Sequence, residues 1–231
     1  MFAQEHFQAC PDDVLLISTP KSGTTWLKAL IFAIMKRTYY TSSTHPLLTA
    51  NPHDCVPFFE FVLFRKPPVA DVDNLPSPRI FATHIPYPSL PKTILDSVDL
   101  FSRGIFGFGP FWDHVQGYWK ASLGCTERIF FTTYEEMKRD TFVKVKRLAE
   151  FLGQPFSIEE ERERVVEEII ELCSFGKLRN LEVNKNGSRN PHLKNDAFFR
   201  KGEVGDWRNH LTPHMVERLD RIANEKFPGL F

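Results

Sequence analysis

The chain has 231 residues, of which 29 are basic and 29 are acidic, so its formal net charge is zero. This balance provides no general electrostatic attraction to nucleic acid or to an anionic membrane, and we expect neither as a partner. Hydrophobic residues make up 42% of the chain and charged residues 25%, which is typical of a globular protein. The length suits one substantial domain, and we expect residues 1–231 to form it.

The cysteines and the first residues bear on metal content and location. The cysteines are scattered without a C-x-x-C pair, which predicts reduced thiols and no metal site: Cys10, Cys55, Cys125 and Cys173. The first residues contain no basic region followed by an apolar stretch, which argues against a signal peptide. The sequence therefore predicts a cytoplasmic protein.

The first predicted elements are an apolar strand and a helix, joined by a polar loop. Residues 14–17 are apolar and predict a short buried strand, while residues 27–35 have the length of a helix and contain no breaker. The loop between them, residues 19–26, reads Thr-Pro-Lys-Ser-Gly-Thr-Thr-Trp. A tight loop at a helix start exposes backbone N–H groups, which suit a phosphate or sulfate.

The side chains of this loop strengthen the prediction of an anion site. Lys21 would add a cation, unless it is an ordinary solvated loop lysine. The hydroxyl groups of Ser22, Thr24 and Thr25 are predicted to cap the helix and to donate to the same anion. Trp26 is either a core residue or a platform for a purine ring. A P-loop kinase is disfavoured, because G-x-x-x-x-G-K-[ST] needs two glycines before the lysine and this loop has a single glycine after it.

The rest of the chain alternates between helical and strand patterns, which predicts a parallel α/β sheet flanked by helices. The predicted elements, in chain order, are a long irregular segment at 40–78, a strand at 79–84, a short helix within 90–97, a loop and then a helix within 99–123, a strand at 128–134, a helix at 135–152, a helix from Ser157 to Cys173, a polar basic segment at 184–206 and a final helix from Thr212. Gly153 is predicted to end the helix that precedes it.

Two further places are candidates for chemistry. His84 ends the second predicted strand, where parallel α/β proteins hold ligands, and an imidazole there can take a proton from a hydroxyl. The alternative is a structural histidine bonded to a backbone carbonyl. Arg200 and Lys201 precede Gly202, and the three predict either an anion site with close backbone approach or a solvated basic turn.

Several segments of the chain resemble the cytosolic sulfotransferases, in particular their plant branch. They occur in family order and cover most of the chain: PDDVLLISTPKSGTTWLKAL, RIFATHIPYPSLPKTILDS, FGPFWDHVQGYWKASL, TTYEEMKRDT, VKRLAEFLG, LCSFGKLRNLEVN and FFRKGEVGDWRNHLT. The resemblance implies a fold similar to the P-loop NTPases. It also implies transfer of a sulfonate group from 3′-phosphoadenosine 5′-phosphosulfate (PAPS) to the hydroxyl of a small acceptor, without a metal.

The resemblance implies a role for each candidate residue. Lys21 would grip the 5′-phosphosulfate and stabilise the leaving phosphate, together with the loop residues that follow it: Ser22, Gly23, Thr24 and Thr25. His84 would be the base that activates the acceptor oxygen. The rest of the nucleotide would meet aromatic and basic residues: Trp26, Tyr134, Arg200, Lys201 and Gly202, with Cys173 and Phe175 on the adenine side.

One block of the family is missing from this chain. Family members have a hydrophobic strand and an Arg-x-Pro-x-Asp motif after the Lys-Thr-Ile-Leu-Asp-Ser segment, whereas Ser97 here runs directly into Val98 and Asp99. A unit of βα size, about 30 residues or more, is absent, so we expect one central strand to be missing. That block supplies an arginine and a serine to the 3′-phosphate. The chain is therefore either an active sulfotransferase or a truncated, catalytically impaired member that binds nucleotide or acceptor weakly.

The resemblance leaves the acceptor open among flavonoids, steroids, hydroxyjasmonates and desulfoglucosinolates. Aromatic residues suit a flat apolar alcohol or phenol, although such residues lie in a core more often than in a pocket: Phe58, Phe59, Phe61, Phe64, Tyr87, Phe108 and Phe111. Mammalian members often dimerise through a Lys-x-x-x-Thr-Val-x-x-x-Glu segment. Arg208, Thr212, Pro213 and Glu217 match that segment only loosely, so we expect a monomer.

Overall fold

The computed structural model describes residues 10–64, 77–85, 111–190 and 193–227. The chain divides into two compact units. The larger unit takes its residues from Ala9–His84 and Thr132–Gly202, and it contains the candidate base and every residue predicted to bind the nucleotide. The smaller unit takes its residues from Met1–Gln8, Ile85–Phe131 and Glu203–Phe231. The expectation of a single domain stays a prediction.

Helices dominate the described residues, with short strands between them. The strands are β1 (Val14–Ile17), β2 (Ile80–Thr83), β3 (Ser188–Asn190) and β4 (Leu193–Lys194). The α-helices are α1 (Thr24–Lys36), α2 (Pro52–Cys55), α3 (Phe59–Phe64), α4 (Phe111–Gly124), α5 (Tyr134–Arg139), α6 (Thr141–Phe151), α7 (Ile158–Arg162), α8 (Val165–Leu172), α9 (Phe175–Asn180), α10 (Glu182–Lys185) and α11 (Pro213–Lys226). Single 3-10 turns lie at Pro46–Leu48, Asn195–Phe198 and Asp206–Asn209.

The parallel pairing of β1 with β2 positions the candidate site. The two strands pair residue for residue, and the last pair joins Ile17 to Thr83. All four residues of β2 are buried, and on its other side Phe58 forms an isolated parallel bridge to Ala82. Because the strands run in the same direction and in register, their carboxyl ends lie side by side. The loop after β1 and His84 after β2 therefore begin at the same edge of the sheet.

Helix α1 anchors the loop that precedes it. Its apolar residues Ala29, Leu30 and Ile34 are at most 1% exposed, as expected for a helix in the core. The helix packs against the strand pair and against α2, α6 and α8. Burying each large aliphatic side chain contributes about 1.5–3 kcal/mol, so this packing holds the amino end of α1 firmly beside β1.

The smaller unit contains the two longest helices of the described chain, α4 and α11. The ring centroids of Trp112 and Phe227 lie 5.6 Å apart, and the side-chain amide of Gln116 donates to the backbone carbonyl of Lys226 at 2.7 Å. Thr212 caps α11 by accepting a hydrogen bond from the backbone N–H of Met215, and proline follows at the first helical position. The predictions of α4 and of the final helix are confirmed.

The predicted third strand at 128–134 is wrong. The described backbone forms no strand there. Instead, the N–H groups of Arg128 and Ile129 donate to the carbonyl of Cys125 in a turn after α4, and α5 begins at Tyr134. A run of β-branched and aromatic residues becomes a strand only where a neighbouring strand can pair with it. In the described residues the parallel sheet has two strands, β1 and β2.

Two predicted long helices are each divided. The helix predicted at 135–152 is interrupted at Asp140, whose carboxylate accepts from the N–H of Val143 and so starts α6. The helix predicted from Ser157 to Cys173 is interrupted at Arg164, which adopts a left-handed φ of 62°. Ser157 does cap α7, and Gly153 does end α6 with a φ of 68°.

Two other predicted segments differ from the structure or lie outside it. The segment predicted to be irregular from residue 40 contains α2, α3 and a 3-10 turn within its described part. The helix predicted within 90–97 and the loop predicted before α4 lie outside the described residues. None of the described helices has both the length and the apolar character needed to cross a bilayer. A parallel strand pair flanked by helices agrees with the predicted α/β class.

Candidate functional site

The loop between β1 and α1 is held by its own hydroxyl groups. The Oγ atom of Ser18 lies 2.7 Å from Oγ1 of Thr24, and the hydroxyl of Ser22 donates to the carbonyl of Thr19 at 2.7 Å. The expectation that Ser22, Thr24 and Thr25 cap α1 is therefore wrong. The capping position belongs to Gly23, and no side chain caps the helix there. Because the hydroxyls of Ser18 and Thr24 bond to each other across the loop, they fix its shape.

Without a side-chain cap, the amino end of α1 keeps its donors for another acceptor. The first N–H groups of any α-helix have no acceptor within the helix, and the helix dipole makes that end electropositive. The first turn of α1 contains no acidic residue. A negatively charged group is therefore the natural ligand for this helix end.

Two residues of the loop adopt left-handed backbone conformations, Lys21 with a φ of 68° and Gly23 with a φ of 95°. A lysine in this region is uncommon and costs about 1–2 kcal/mol, so the surrounding structure must hold it there. Gly23 is required for a second reason. A Cβ atom at this position would lie 2.7 Å from Cδ2 of Tyr134, which is closer than side-chain atoms approach.

His84 is tied directly to the loop. Its Nδ1 atom lies 2.6 Å from the carbonyl oxygen of Ser18, so Nδ1 carries a proton and donates it. In the neutral ring the basic nitrogen is then Nε2. A carboxylate holds the chain on the amino-terminal side of this ring, because Oε1 of Glu60 accepts from the backbone N–H of His84 at 2.7 Å and from the side-chain hydroxyl of Thr83 at 2.8 Å.

Trp26 and Tyr134 form an aromatic wall beside the loop. Their ring centroids lie 5.7 Å apart with the rings nearly perpendicular, and the ammonium of Lys138 lies 5.5 Å from the centre of the Trp26 ring. Burial raises the pKa of the Tyr134 phenol, so the group remains protonated at neutral pH. Tyr134 thus lies against Gly23 and Trp26 lies beside Tyr134, while their contact with a nucleotide stays a prediction.

The basic triplet follows a buried aromatic residue. Arg200 and Lys201 are exposed, and Gly202 has a φ of 69°. A Cβ atom on Gly202 would lie 2.6 Å from Cδ2 of Phe175, so the backbone passes directly over that ring. Cys173 is fully buried and burial raises the pKa of its thiol, which makes it a core residue.

A buried polar cluster under the loop was not predicted. Lys28 is fully buried in α1, and its ammonium lies 3.0 Å from Nδ1 of His53 and 2.8 Å from the carbonyl oxygen of Val56. The other ring nitrogen of His53, Nε2, lies 3.0 Å from Oγ1 of Thr25 in the loop. The feature of the sequence that could have indicated this cluster is Lys28 itself, a lysine within the apolar face of a predicted helix.

His53 also connects the loop to the chain segment that carries the basic triplet. Its ring lies 4.2 Å from the ring of Phe198, two residues before Arg200, and 5.3 Å from the ring of Phe58. The Phe58 ring in turn lies 4.8 Å from the ring of His84. The larger unit therefore links Thr25, the basic segment and His84 through neighbouring rings.

The aromatic residues predicted to line an acceptor pocket divide into different environments. Phe58 touches His84, as a pocket residue would. Phe59 is 1% exposed and packs on Phe81, so it belongs to the core and not to a pocket. Phe61 is 64% exposed. The remaining four have side chains outside the described part of the chain: Phe64, Tyr87, Phe108 and Phe111.

A group of potential metal ligands lies near the start of β1. Ligand atoms of Cys10, Asp12 and Asp13 lie within 4.8 Å of one another. Both carboxylate oxygens of Asp13 already accept hydrogen bonds from Arg79, at 2.7 and 2.6 Å. The ion pair with Arg79 explains why a carboxylate lies at position 13 without a metal ligand role. The expectation that the chain needs no metal stays a prediction.

Comparison with known proteins identifies the family. The model of the sulfotransferase domain matches residues 11–98 and residues 95–231. Cytosolic sulfotransferase 15 of Arabidopsis thaliana is 45% identical over 271 residues, which cover 99% of this chain and 76% of the relative. Flavonol 4′-sulfotransferase of Flaveria chlorifolia is 43% identical, with 98% of this chain and 82% of the relative covered.

A solved structure from Arabidopsis thaliana, described as a candidate steroid sulphotransferase, has the same fold. It superposes with a TM-score of 0.72 at 36% identity, covering 98% of this chain and 80% of the other. The alignment with cytosolic sulfotransferase 15 runs over 271 residues although this chain has 231, so it opens gaps of at least 40 positions in this chain.

The two parts matched by the family model meet at residues 95–98, where the sequence predicts the missing strand–helix block. The chain is thus shorter than its relatives and lacks an internal block. It belongs to the sulfotransferase family, and within that family to the plant cytosolic sulfotransferases.

Proposed function

We propose that this chain transfers a sulfonate group from PAPS to a hydroxyl of a small aromatic or steroid-like acceptor, with His84 as the base. The observation that carries the proposal is the 2.6 Å hydrogen bond between Nδ1 of His84 and the carbonyl of Ser18. It ties the candidate base to the loop that offers donors to an anion. A proton acceptor and an anion-binding loop are the two parts that this reaction needs.

The described residues fit a sulfonated nucleotide. Lys21, held in a left-handed turn, and the uncapped first turn of α1 offer a cation and N–H groups to the 5′-phosphosulfate. The hydroxyls of Ser22, Thr24 and Thr25 surround the same turn. The aromatic pair of Trp26 and Tyr134 suits the nucleotide's base. Arg200, Lys201 and Gly202 would bind its 3′-phosphate, and the backbone of Gly202 lies directly against the Phe175 ring.

The reaction follows from these positions. Nε2 of His84 takes the proton from the acceptor hydroxyl, and the resulting oxygen forms a bond to the sulfonate sulfur as the bond from sulfur to the 5′-phosphate oxygen breaks. Negative charge then develops on that phosphate oxygen. Lys21 and the N–H groups of α1 meet this charge, and donors already oriented before the reaction stabilise the transition state most.

The acceptor class rests on the surroundings of His84. Phe58 lies against the imidazole, so a flat apolar ring that carries the reacting hydroxyl has an aromatic partner there. A relative at 43% identity is named for transfer to a flavonol, which is a flat phenol. We therefore infer a phenol of this kind as the first acceptor class to test.

A second candidate function is favoured by the missing block. Without the Arg-x-Pro-x-Asp motif the site loses an arginine contact to the 3′-phosphate, which is worth about 1.5–3 kcal/mol, or one to two decades in Kd. On this alternative the chain is an impaired family member that binds nucleotide or acceptor weakly and turns over little. The gaps of at least 40 positions in the alignment support it.

One assay separates the two functions. The purified chain is incubated with PAPS carrying a radiolabelled sulfonate and a panel of flavonols, simple phenols and steroids, and labelled products are counted. Turnover with any acceptor supports the enzyme. No labelled product, together with bisphosphorylated nucleotide binding weaker than micromolar by isothermal titration calorimetry, supports the impaired member. Tight binding of the bisphosphorylated nucleotide without turnover would show that the nucleotide site is intact and that the acceptor is not bound or not activated.

Location and assembly are also proposals. Close relatives are named cytosolic, and we propose the same compartment for this chain. The loose match to the mammalian dimerisation segment, with Thr212 serving instead as the cap of α11, supports a monomer. Light scattering on the purified chain would measure the mass directly, and a value near 27 kDa is expected.

A further inference from the structure

A chain of hydrogen bonds runs from the core to the anion-binding loop. It starts at the carbonyl oxygen of Val56, passes through the ammonium of Lys28 and both ring nitrogens of His53, and ends at Oγ1 of Thr25. Each link is 2.8–3.0 Å long. Lys28 is fully buried, and its Nζ atom also lies 3.4 Å from the centre of the Phe58 ring.

The direction of these hydrogen bonds follows from the chemistry of the groups. An ammonium has three donors and no acceptor, so Lys28 donates to Nδ1 of His53. Burial, followed by the charges of Lys28 and Arg189, lowers the pKa of His53 to about 2, so its ring is neutral and has one proton. That proton is on Nε2, since Nδ1 accepts. Nε2 must then donate to the Thr25 hydroxyl.

The Thr25 hydroxyl is left with a defined role. Its oxygen accepts from His53, so its own proton points to another acceptor. Thr25 is the second residue of α1, at the helix end with the uncapped N–H groups. We propose that Lys28 and His53 are positioning residues that orient the Thr25 hydroxyl as a hydrogen-bond donor to the sulfonated phosphate of the donor nucleotide. This inference rests on the proposed function of the loop.

The orientation depends on the charge of Lys28. A neutral amine can accept a hydrogen bond, and His53 could then carry its proton on Nδ1 while the Thr25 hydroxyl donates to Nε2 and turns away from the nucleotide. Burial, with a further contribution from Arg189, lowers the pKa of Lys28 from 10.5 to about 7, while Glu60 and Asp54 oppose the shift. Nucleotide binding should therefore be strongest at pH values where the ammonium predominates.

Charges from several elements act on this chain of hydrogen bonds. Arg189 lies on β3, Asp54 on α2 and Glu60 on α3, and all three influence Lys28. Lys21 and His84 also influence His53. Arg189 and Asp54 form an ion pair at 2.8 Å, so these two charges hold each other in position. A bound anion at the loop adds negative charge and favours the charged form of Lys28.

The first test reads the position of the proton on His53. Long-range ¹H–¹⁵N NMR of the imidazoles, recorded on the wild-type chain with and without 3′,5′-bisphosphorylated adenosine, distinguishes the two tautomers. The expected result near pH 6.5 is a neutral His53 ring with its proton on Nε2. A proton on Nδ1 in the nucleotide complex, or a doubly protonated ring, would overturn the inference.

The second test is a double-mutant cycle on the affinity for the same nucleotide, measured by calorimetry near pH 6.5. Thr25→Val removes the hydroxyl and should raise Kd by about tenfold or more, the usual effect of losing a donor to a charged group. Lys28→Met should raise Kd by a similar factor in the wild-type background and by less than about twofold in the Thr25→Val background. Lys36→Met, the same change on the same helix, is the control and should leave Kd unchanged.

A pH series and a conservative variant complete the test. The difference in Kd between Lys28→Met and wild type should shrink as the pH is raised to 9. His53→Gln, whose amide N–H can still donate to Thr25, should bind the bisphosphorylated nucleotide more tightly than His53→Leu.

These histidine variants and Thr25→Val keep the test decisive if Lys28→Met does not fold. Equal effects of Lys28→Met in both backgrounds would refute the positioning role alone, whereas no nucleotide binding by the wild-type chain would refute the proposed function itself.

Discussion

The imidazole of His84 donates a hydrogen bond from Nδ1 to the carbonyl oxygen of Ser18, across 66 positions of sequence. The parallel register of β1 and β2 makes this contact possible, because it brings the last residues of the two strands to the same edge. Both alternatives weighed for His84 from the sequence are therefore compatible with its position. A neutral ring that donates from Nδ1 to a backbone carbonyl has Nε2 as its basic nitrogen, which is the tautomer that the proposed base requires.

Replacing His84 by alanine should lower turnover by about 10²–10⁴-fold while sparing nucleotide affinity. The base contributes to the chemical step, for which general base catalysis typically supplies about 10²–10⁴-fold, and it is not proposed to bind the nucleotide. Initial rates with labelled PAPS and Kd values for the bisphosphorylated nucleotide are measured for wild type, His84→Ala and His84→Gln. His214→Ala, an exposed histidine on α11, is the matched control. Turnover by His84→Ala within a factor of about three of wild type would exclude His84 as the base.

Gly23→Ala should weaken nucleotide binding and destabilise the loop. The new methyl group would lie 2.7 Å from the Tyr134 ring, and alanine at a φ of 95° costs about 1–2 kcal/mol more than glycine. Calorimetry with the bisphosphorylated nucleotide and thermal unfolding are the measurements. Gly124→Ala is the control, because nothing lies within 4 Å of its added methyl group. If Gly23→Ala bound nucleotide as tightly as wild type, the close contact with Tyr134 would not be part of the site.

Gly202→Ala tests the segment proposed to bind the 3′-phosphate. Its methyl group would lie 2.6 Å from the ring of Phe175 and within 3.2 Å of its Cβ, so the backbone of the basic triplet must move. Affinity for the 3′,5′-bisphosphorylated nucleotide should fall more than affinity for adenosine 5′-phosphosulfate, which lacks the 3′-phosphate. An equal loss for both nucleotides would show that the triplet does not act on the 3′-phosphate.

Lys28 should make the stability of the ligand-free protein rise with pH above 7. Burial, more than the nearby Arg189, lowers its pKa from 10.5 to about 7, so between these values the unfolded chain holds a proton that the folded chain has lost. The free energy of unfolding then increases by about 1.4 kcal/mol per pH unit from this group. Urea unfolding between about pH 7 and pH 9 should show this slope in wild type and in Lys36→Met. The slope should be missing from Lys28→Met, and its persistence there would show that another group causes it.

The local order of the site could be predicted from the sequence. An apolar tetrapeptide, a loop with one glycine after the lysine and a long uninterrupted apolar helix are local signals, and β1, the loop and α1 follow them. His84 at the end of β2 was predicted for the same reason. The capping roles of Ser22 and Thr24 were wrong because their hydroxyls find partners at Thr19 and Ser18, and propensity alone does not reveal such pairing.

The remaining errors come from long-range or competing interactions. The strand predicted at 128–134 has suitable residues, but no described strand pairs with it. The capping preference of Asp140 outweighs helix continuity, which divides one predicted helix into α5 and α6. A lysine within the apolar face of α1 marks Lys28, but nothing local in the sequence indicates that its partner is His53, 25 positions away.

A crystal structure of this chain with 3′,5′-bisphosphorylated adenosine would show whether the loop and His84 form one site. We expect the 5′-phosphate to contact the ammonium of Lys21, the first N–H groups of α1 and the hydroxyl of Thr25, and Nε2 of His84 to face the side from which an acceptor would approach. A 5′-phosphate bound away from the Lys21 loop, or a His84 ring whose Nε2 faces away from it, would refute the proposed site.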